Sequence, residues 1–457
     1  MACSVWAKVA ALAERMGVHL TASRRLDVSK AQLRVREIVR QIESEIWAGL
    51  RLEFIPLVRF FLSESLLEKS WKIVGKAFGP LESVGDPIVV SGWWLTSIKV
   101  PLRFQHAEFG MLLQMTSAGS LVGLRFLPMR ALGLGAGWQM PCYADNIARE
   151  FDITLGKSES KVGGTFCLPN ITEEQAGIPR FPCVVFLAGS GPCDRDSTVE
   201  DNKPFKDLAW GLARHGIASI RFDKVTRTYP KVFRNRKNMT LTDEYVEHTV
   251  DAILQGQNHP NVLPERIFVL GHSLGAVVAP IVAAMEASVA GCVIMAGPAE
   301  PMYRSLIRQL RYIQSLDGPE AVLLGKRIHE AQVQADLADS DHLTLSTPAK
   351  QLPFGIGPSY WLDYRKFDPI GTASSMRKPI LIMQGGRDYQ VTVQDDYKQW
   401  HTALHGKHNV QFHLYEQLNH LFIAGKLPST PLEYSAPGNI DEQVIIDLAK
   451  WVHANVL

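Results

Sequence analysis

The sequence predicts a mostly parallel β-sheet covered by helices on both faces, interrupted late by an insertion and preceded by a smaller α+β unit. Three observations predict it. From about residue 180, short apolar runs alternate with helical segments, the rhythm of parallel strands joined by crossover helices. That rhythm breaks between 298 and 375 and then resumes, which marks an insertion at the strand ends. The first 130 residues follow another order, helices and then short β-type runs with a hairpin signal, as in an α+β unit.

The whole chain bounds the reading. Its 457 residues suggest two or three domains. With 48 basic and 46 acidic residues and a net charge of +2, nothing calls for nucleic acid or an anionic membrane. The one basic block, Arg234-Asn-Arg-Lys237, reads as a solvated loop. None of the six cysteines (Cys3, Cys142, Cys167, Cys183, Cys193, Cys292) forms a C-x-x-C pair or a zinc spacing with His. Cys183 and Cys292 sit in apolar runs and read as buried thiols. Lys8, Glu14 and Arg15 interrupt the N-terminal stretch, so no signal peptide is expected. No run approaches the ~18 apolar residues of a membrane span. The expectation is a cytoplasmic protein with no membrane span.

Residues 1–48 read as an N-terminal helical segment, with Leu33, Val35, Ile38, Val39, Ile42, Ile46 and Trp47 on a helical stripe. A second helix is expected over 52–77, with Pro56 near its start and Gly79-Pro80 ending it. Strands are expected at 88–90, 93–100, 102–104, 108–116 and 121–127, with Ser117-Ala-Gly-Ser120 as a hairpin turn. Residues 49–130 thus form an α+β domain. Residues 131–145, with Gly133, Gly135 and Gly137, read as a linker. The sheet domain covers 146–457. It opens with an antiparallel pair, 151–155 and 162–168. Then come strand 183–187 and helix 205–215, strand 218–222 and helix 243–255, strand 267–270 and helix 274–287, and strand 292–295. The insertion, about 299–370, has a helix-like 304–338 and a loop-rich 348–369 carrying Tyr360, Trp361 and Tyr364. Strand 379–383, a helix over 395–405, strand 410–415 and a final helix over 441–453 complete it.

Chemistry concentrates at three strand ends. Gly271-His272-Ser273-Leu274-Gly275 follows an apolar strand and opens a small-residue helix. In that context G-x-S-x-G is a nucleophile elbow, in which small neighbours allow a strained serine. Asp388 lies in the Gly-containing loop after strand 379–383, and His420 in the loop after strand 410–415. Among the competitors, His401, His405 and His408 lie on or after a helix and His413 lies within the strand. The order Ser273, Asp388, His420 is the chain order of α/β-hydrolases. Serine needs a base to take its proton, and the imidazole needs a carboxylate to fix its tautomer. An oxyanion hole calls for the Leu274 amide and a second amide from the loop Ala188-Gly-Ser-Gly-Pro-Cys-Asp-Arg-Asp196. Ser190 is the preferred second donor and Gly189 the alternative. Asp194, Arg195 and Asp196 read as a salt-bridged loop, and His272 as a packing residue of the turn.

These residues carry a resemblance. Leu187 to Asp196, Gly271 to Gly275, Gln384-Gly-Gly-Arg-Asp388-Tyr and Leu418-Asn-His420 resemble bacterial α/β-hydrolase carboxylesterases of the Thermotoga esterase type. The resemblance covers 162 to the C-terminus and also 52–128, which looks like that family's cystatin-like or NTF2-like N-terminal domain. Residues 1–48 fall outside it. The loop Arg221-Phe-Asp-Lys224-Val-Thr-Arg227 departs from the Gly-containing turn of many relatives. The family implies ester hydrolysis on short to medium acyl chains, with no metal and no cofactor. The insertion would then be a helical cap setting specificity. Trp361, Tyr364 and Tyr389 are the candidate substrate contacts, with cap core as the other reading of the aromatics. The same machinery serves acyl transfer, lactone, thioester or peptide cleavage. A partner-binding protein with secondary hydrolase activity is the reading from a different class, and the N-terminal domain leaves a homodimer open.

Overall fold

The computed structural model describes residues 28–91, 95–116, 118–144, 148–157, 159–170, 179–231, 238–316 and 321–455. Trp93, Ser117, the basic block at 234–237 and the N-terminal stretch up to 27 lie outside the described residues. The chain divides into two units, Met1–Gly137 with Pro431–Pro437, and Trp138–Thr430 with Gly438–Leu457.

In the first unit the helical stripe holds over α1 (Val28–Glu43). Ala31, Val35, Ile38, Val39 and Ile42 are buried there, while Leu33 faces solvent. This helix shares one core with the strands that follow, so it is part of the α+β unit and not a separate segment. Glu45, at φ 54°, ends the helical run, and Trp47 opens the next helix. The single helix expected over 52–77 is three: α2 (Trp47–Leu52), α3 (Pro56–Phe61) and α4 (Glu64–Phe78). Pro56 starts α3 at a position where its missing N–H costs nothing, and the Ser63 side chain caps α4 by accepting from the Leu66 amide. The sheet is antiparallel. β3 (Thr96–Phe104) pairs with β4 (Glu108–Met115), and β4 with β5 (Leu121–Leu127). On its other edge β3 pairs with β1 (Leu81–Val84) and β2 (Ile88–Ser91). β3 runs straight through Pro101, where two strands were expected. Pro101 falls between the β1 and β2 pairings, so its lack of an N–H breaks no ladder there.

The expected linker is largely packed. Leu132 is buried, and beyond it Tyr143 and Ala144 are buried in the second unit. The Trp138 indole donates to Asp207 at 2.7 Å and the Tyr143 hydroxyl to the Ile440 carbonyl at 2.8 Å. Residues 431–437, expected within the sheet domain, group with the first unit, whose core Leu432 joins.

The second unit is built on a sheet of eight strands among the described residues, in the order β13-β12-β11-β10-β8-β9-β7-β6. β6 (Ala148–Leu155) and β7 (Val162–Pro169) are antiparallel neighbours. β8 (Phe181–Leu187), β9 (Ala218–Phe222), β10 (Val262–His272), β11 (Val289–Met295), β12 (Ile380–Gly385) and β13 (Val410–Tyr415) run parallel. Residues of β8, β10, β11 and β12 alternate between two cores, Val185, Val269, Ile294 and Ile382 on one face and Phe186, Leu270, Val293 and Leu381 on the other. Both faces are therefore covered, which is why these strands read as unbroken apolar runs. Helices α5 (Pro204–Arg214), α6 (Val225–Thr228), α7 (Leu241–Asn258) and α8 (Leu274–Met285) follow in chain order. The insertion after β11 holds α9 (Met302–Ser315), α10 (Ala321–Asp339), α11 (Pro358–Tyr364) and α12 (Pro369–Ser375). The Asp363 carboxylate of α11 accepts from the Thr242 amide and hydroxyl at 2.9 and 2.8 Å, which ties the cap to the start of α7. A π-helical turn at Val393–Tyr397 replaces the first turn of the helix expected over 395–405, before α13 (Lys398–Leu404) and, last, α14 (Glu442–Ala454). The architecture is an α/β-hydrolase fold with a helical cap. Among the described residues no helix is long and apolar enough to cross a membrane.

Candidate active site

Ser273 sits between the last residue of β10 and the first of α8 with φ 54° and ψ −121°, a region that L side chains rarely occupy. Two contacts explain why Gly stands on either side. A Cβ on Gly271 would lie 2.1 Å from the Gly275 carbonyl oxygen, and one on Gly275 would lie 2.2 Å from the Leu187 carbonyl oxygen. Both obstacles are backbone, which cannot swing away. The Ser273 amide donates to the Met295 carbonyl at 3.0 Å, fixing the turn to β11. The half-buried hydroxyl has no hydrogen-bond partner among the described residues, so both its proton and its lone pairs are unspent.

The loops after β12 and β13 bring the acid and the imidazole together. The Nδ1–H of His420 donates to Asp388 Oδ2 at 2.6 Å, and both side chains are buried. The other carboxylate oxygen, Asp388 Oδ1, accepts from the amides of Gln390 and Val391 at 2.8 and 3.0 Å. Gln384 Nε2 reaches Oδ2 at 3.3 Å. The carboxylate is thus held on both oxygens, and Nε2 of His420 is left free to accept. Asn419 shapes the His420 loop, its side-chain oxygen accepting from the amides of Leu421 and Ile423 at 2.9 and 3.1 Å.

His272 does more than pack. Its Nε2–H donates to the His420 carbonyl at 2.8 Å, and the two rings lie 4.7 Å apart. Burial, with the neighbouring imidazole, pushes the His272 pKa down to about 3, so this ring is a neutral strut between the nucleophile turn and the imidazole loop.

The loop after β8 lies against the serine: a Cβ on Gly189 would be 3.2 Å from Ser273 Cβ. The amides of Gly189, Ser190 and Leu274 donate to nothing among the described residues. Further along this loop, Arg195 pairs with Asp223 at 2.9 Å, while Arg221 and Lys203 each reach Asp196 at 2.8 Å. These ion pairs hold the loop's far end.

A cavity of about 700 Å³ opens beside Gly191 and Leu274, walled by Met239, Met302, Phe354, Ile356 and Tyr360. Among the described residues, Glu244 is its only charged lining residue. None of the three expected aromatic contacts lines this cavity. Trp361 and Tyr364 are buried in the cap core with Tyr303, because α11 turns them inward against α9 and presents Tyr360 to the cavity. Tyr389 stacks on Tyr312 at 5.2 Å and lines a separate cavity of about 380 Å³ behind Asp388. Tyr360, His272, Lys224, Glu244 and Tyr245 were not legible as site residues. The only signal was Lys224, a basic residue two positions past the end of a buried strand.

The chain is 35% identical over 353 residues to the esterase EstD of Thermotoga maritima, covering 77% of this chain and 78% of that protein. Among solved structures it is similar to an esterase of Pyrococcus furiosus (14% identity, TM-score 0.42, covering 70% of this chain and 98% of that one). It is also similar to Est1E from Butyrivibrio proteoclasticus (13% identity, TM-score 0.43, covering 67% and 98%). No family model matches.

Proposed function

Because the chain belongs to the esterase family that includes EstD of Thermotoga maritima, we propose that it hydrolyses carboxylic esters through Ser273, His420 and Asp388. The observation that carries this reading is an imidazole whose Nδ1–H is held 2.6 Å from a carboxylate, on a loop whose His420 carbonyl accepts at 2.8 Å from His272, the neighbour of a strained serine with an unspent hydroxyl.

Ser273 Oγ attacks the ester carbonyl carbon as His420 Nε2 takes its proton. Asp388 stabilises the imidazolium that forms. The carbonyl oxygen becomes an oxyanion and accepts from the amides of Leu274 and Ser190, with Gly189 beside them. Such preorganised donors are worth ~2.7–4 kcal/mol each in the transition state. Collapse expels the alcohol, which takes the proton from His420. Water then attacks the acyl-enzyme, His420 accepts one proton and returns it to Ser273, and the acid leaves. The cap cavity receives an uncharged, largely apolar part of the ester, since the one charged wall residue among those described, Glu244, is already paired with Lys224 at 2.8 Å.

The test is a panel of acyl esters run with wild type and Ser273→Ala, with fluorophosphonate labelling in parallel. Turnover and labelling that both vanish in the variant are expected. A wild type that neither labels nor cleaves any ester would overturn the reading. Weighing the products in the presence of alcohol acceptors separates hydrolysis from acyl transfer.

A further inference from the structure

Lys224 is almost fully buried, beside Tyr245, Glu244 and Tyr360, which are buried too. Its ammonium has three hydrogens to give and three acceptors meet it: the Gly189 carbonyl at 2.9 Å, the Tyr245 hydroxyl at 2.7 Å and Glu244 Oε1 at 2.8 Å. The Tyr245 hydroxyl, having accepted from Lys224, lies 2.9 Å from the Ala188 carbonyl and 2.8 Å from the Gly189 carbonyl. Both carbonyls of the loop facing Ser273 are therefore drawn to the same side. Glu244 Oε2 in turn accepts from the cap hydroxyl of Tyr360 at 2.7 Å.

This arrangement has a consequence for the amides. In a planar trans peptide the N–H points opposite to the preceding C=O, and none of these peptides is cis. Drawing the Ala188 and Gly189 carbonyls toward Tyr245 and Lys224 turns the Gly189 and Ser190 amides the other way. Neither of these two amides donates to anything among the described residues. A buried ion pair adds little to stability compared with apolar residues of the same shape, so stability alone gives no reason for an ammonium here.

We propose that Lys224 and Tyr245 are positioning residues that set the direction of the oxyanion-binding amides, and that Glu244 and Tyr360 tie this setting to the cap. The inference rests on the serine-hydrolase reading above. The network touches no reacting atom. It acts by holding donors where charge develops in the transition state and not in the ground state.

The experiment compares wild type with Tyr245→Phe, Tyr360→Phe and the paired Lys224→Met/Glu244→Gln variant, which strands neither charge. Turnover of a p-nitrophenyl ester is measured beside affinity for a trifluoromethyl ketone, which forms a tetrahedral adduct on the serine. The expected result is a kcat lowered roughly tenfold in Tyr245→Phe and roughly a hundredfold in the paired variant. KM should stay within about twofold and ketone affinity should fall in step with kcat. Tyr360→Phe should move both in the same direction by less. If the paired variant does not fold, Tyr245→Phe decides alone, since it removes one oxygen and keeps the ring. A folded Tyr245→Phe with wild-type kcat and ketone affinity overturns the inference, as does a loss confined to KM. Ester turnover that survives Ser273→Ala is a different failure: it overturns the hydrolase reading and the inference with it.

Discussion

Replacing Asp388 by Asn tests the acid at its most specific point, because the two carboxylate oxygens have different partners. Oδ1 accepts from two backbone amides, Gln390 and Val391, at 2.8 and 3.0 Å. Oδ2 faces His420 Nδ1 at 2.6 Å and Gln384 Nε2 at 3.3 Å. An Asn that keeps its oxygen on the amides turns its NH2 toward His420. The flipped Asn leaves two buried amides facing a donor, at ~1–3 kcal/mol each, so the first orientation prevails. His420 Nδ1 must then give up its hydrogen and accept, which puts the proton on Nε2. An imidazole protonated there cannot take the Ser273 proton. The expected loss in kcat is about 10³–10⁴-fold, or ~4–5.5 kcal/mol of barrier. The loop should survive, because its backbone bonds to Oδ1 are kept, and stability should change by about 1 kcal/mol or less. Asp388→Ala differs: it strands the Gln390 and Val391 amides and should lose stability as well as rate. The assay is kcat and KM on a p-nitrophenyl ester, with urea unfolding of each variant. A folded Asp388→Asn enzyme within tenfold of wild-type kcat would refute the tautomer argument.

Three further outcomes are expected. Gly275→Ala drives a Cβ to 2.2 Å from the Leu187 carbonyl oxygen, so β8 or the turn must shift, and thermal or urea unfolding should show a loss of about 3 kcal/mol. His272 has a folded pKa of about 3, below its unfolded value, so the unfolded state binds more protons between the two. Its contribution therefore falls as pH falls from about 6.5 toward 3, by ~1.4 kcal/mol per pH unit. Between pH 7 and pH 4.5 the wild type should lose about 2–3 kcal/mol more than His272→Gln, read from urea unfolding at the two pH values. In the first unit, Phe78 packs its ring 5.1 Å from that of Phe109 and 6.0 Å from that of Phe104. Phe78→Ala should cost about 3–5 kcal/mol by chemical unfolding of that unit, and an unchanged midpoint would contradict the packing.

Much of the fold was legible because the signals are local. Alternation between two apolar cores along β8 and β10 shows in the sequence as unbroken runs, and Gly271 and Gly275 mark a turn that only a missing Cβ allows. The places where expectation and structure part also have local causes. Pro56 and the Ser63 cap divide one expected helix into three, and Pro101 was read as a break although it falls in a gap between two edge strands. Residues 138–144 read as a linker because Gly is frequent nearby, yet Trp138 and Tyr143 anchor them through bonds to Asp207 and Ile440, far away in the chain. In the cap, Trp361 and Tyr364 could not be told from Tyr360. All three are apolar rings on one short helix, and only its packing against α9 decides which faces the cavity.

The sequence by itself determined the class of fold and the order of the chemistry: a serine between two glycines, then an aspartate, then a histidine, each past the end of an apolar strand. Those features survive because strand, turn and chain order are written in neighbouring residues. Only the tertiary structure decided what surrounds them. It set His272 against the His420 carbonyl. It also gathered Lys224, Glu244, Tyr245 and Tyr360 behind the Gly189 loop, from positions up to 171 residues apart. A buried ammonium finds its three acceptors through the packing of separate elements, and no spacing along the chain records that meeting.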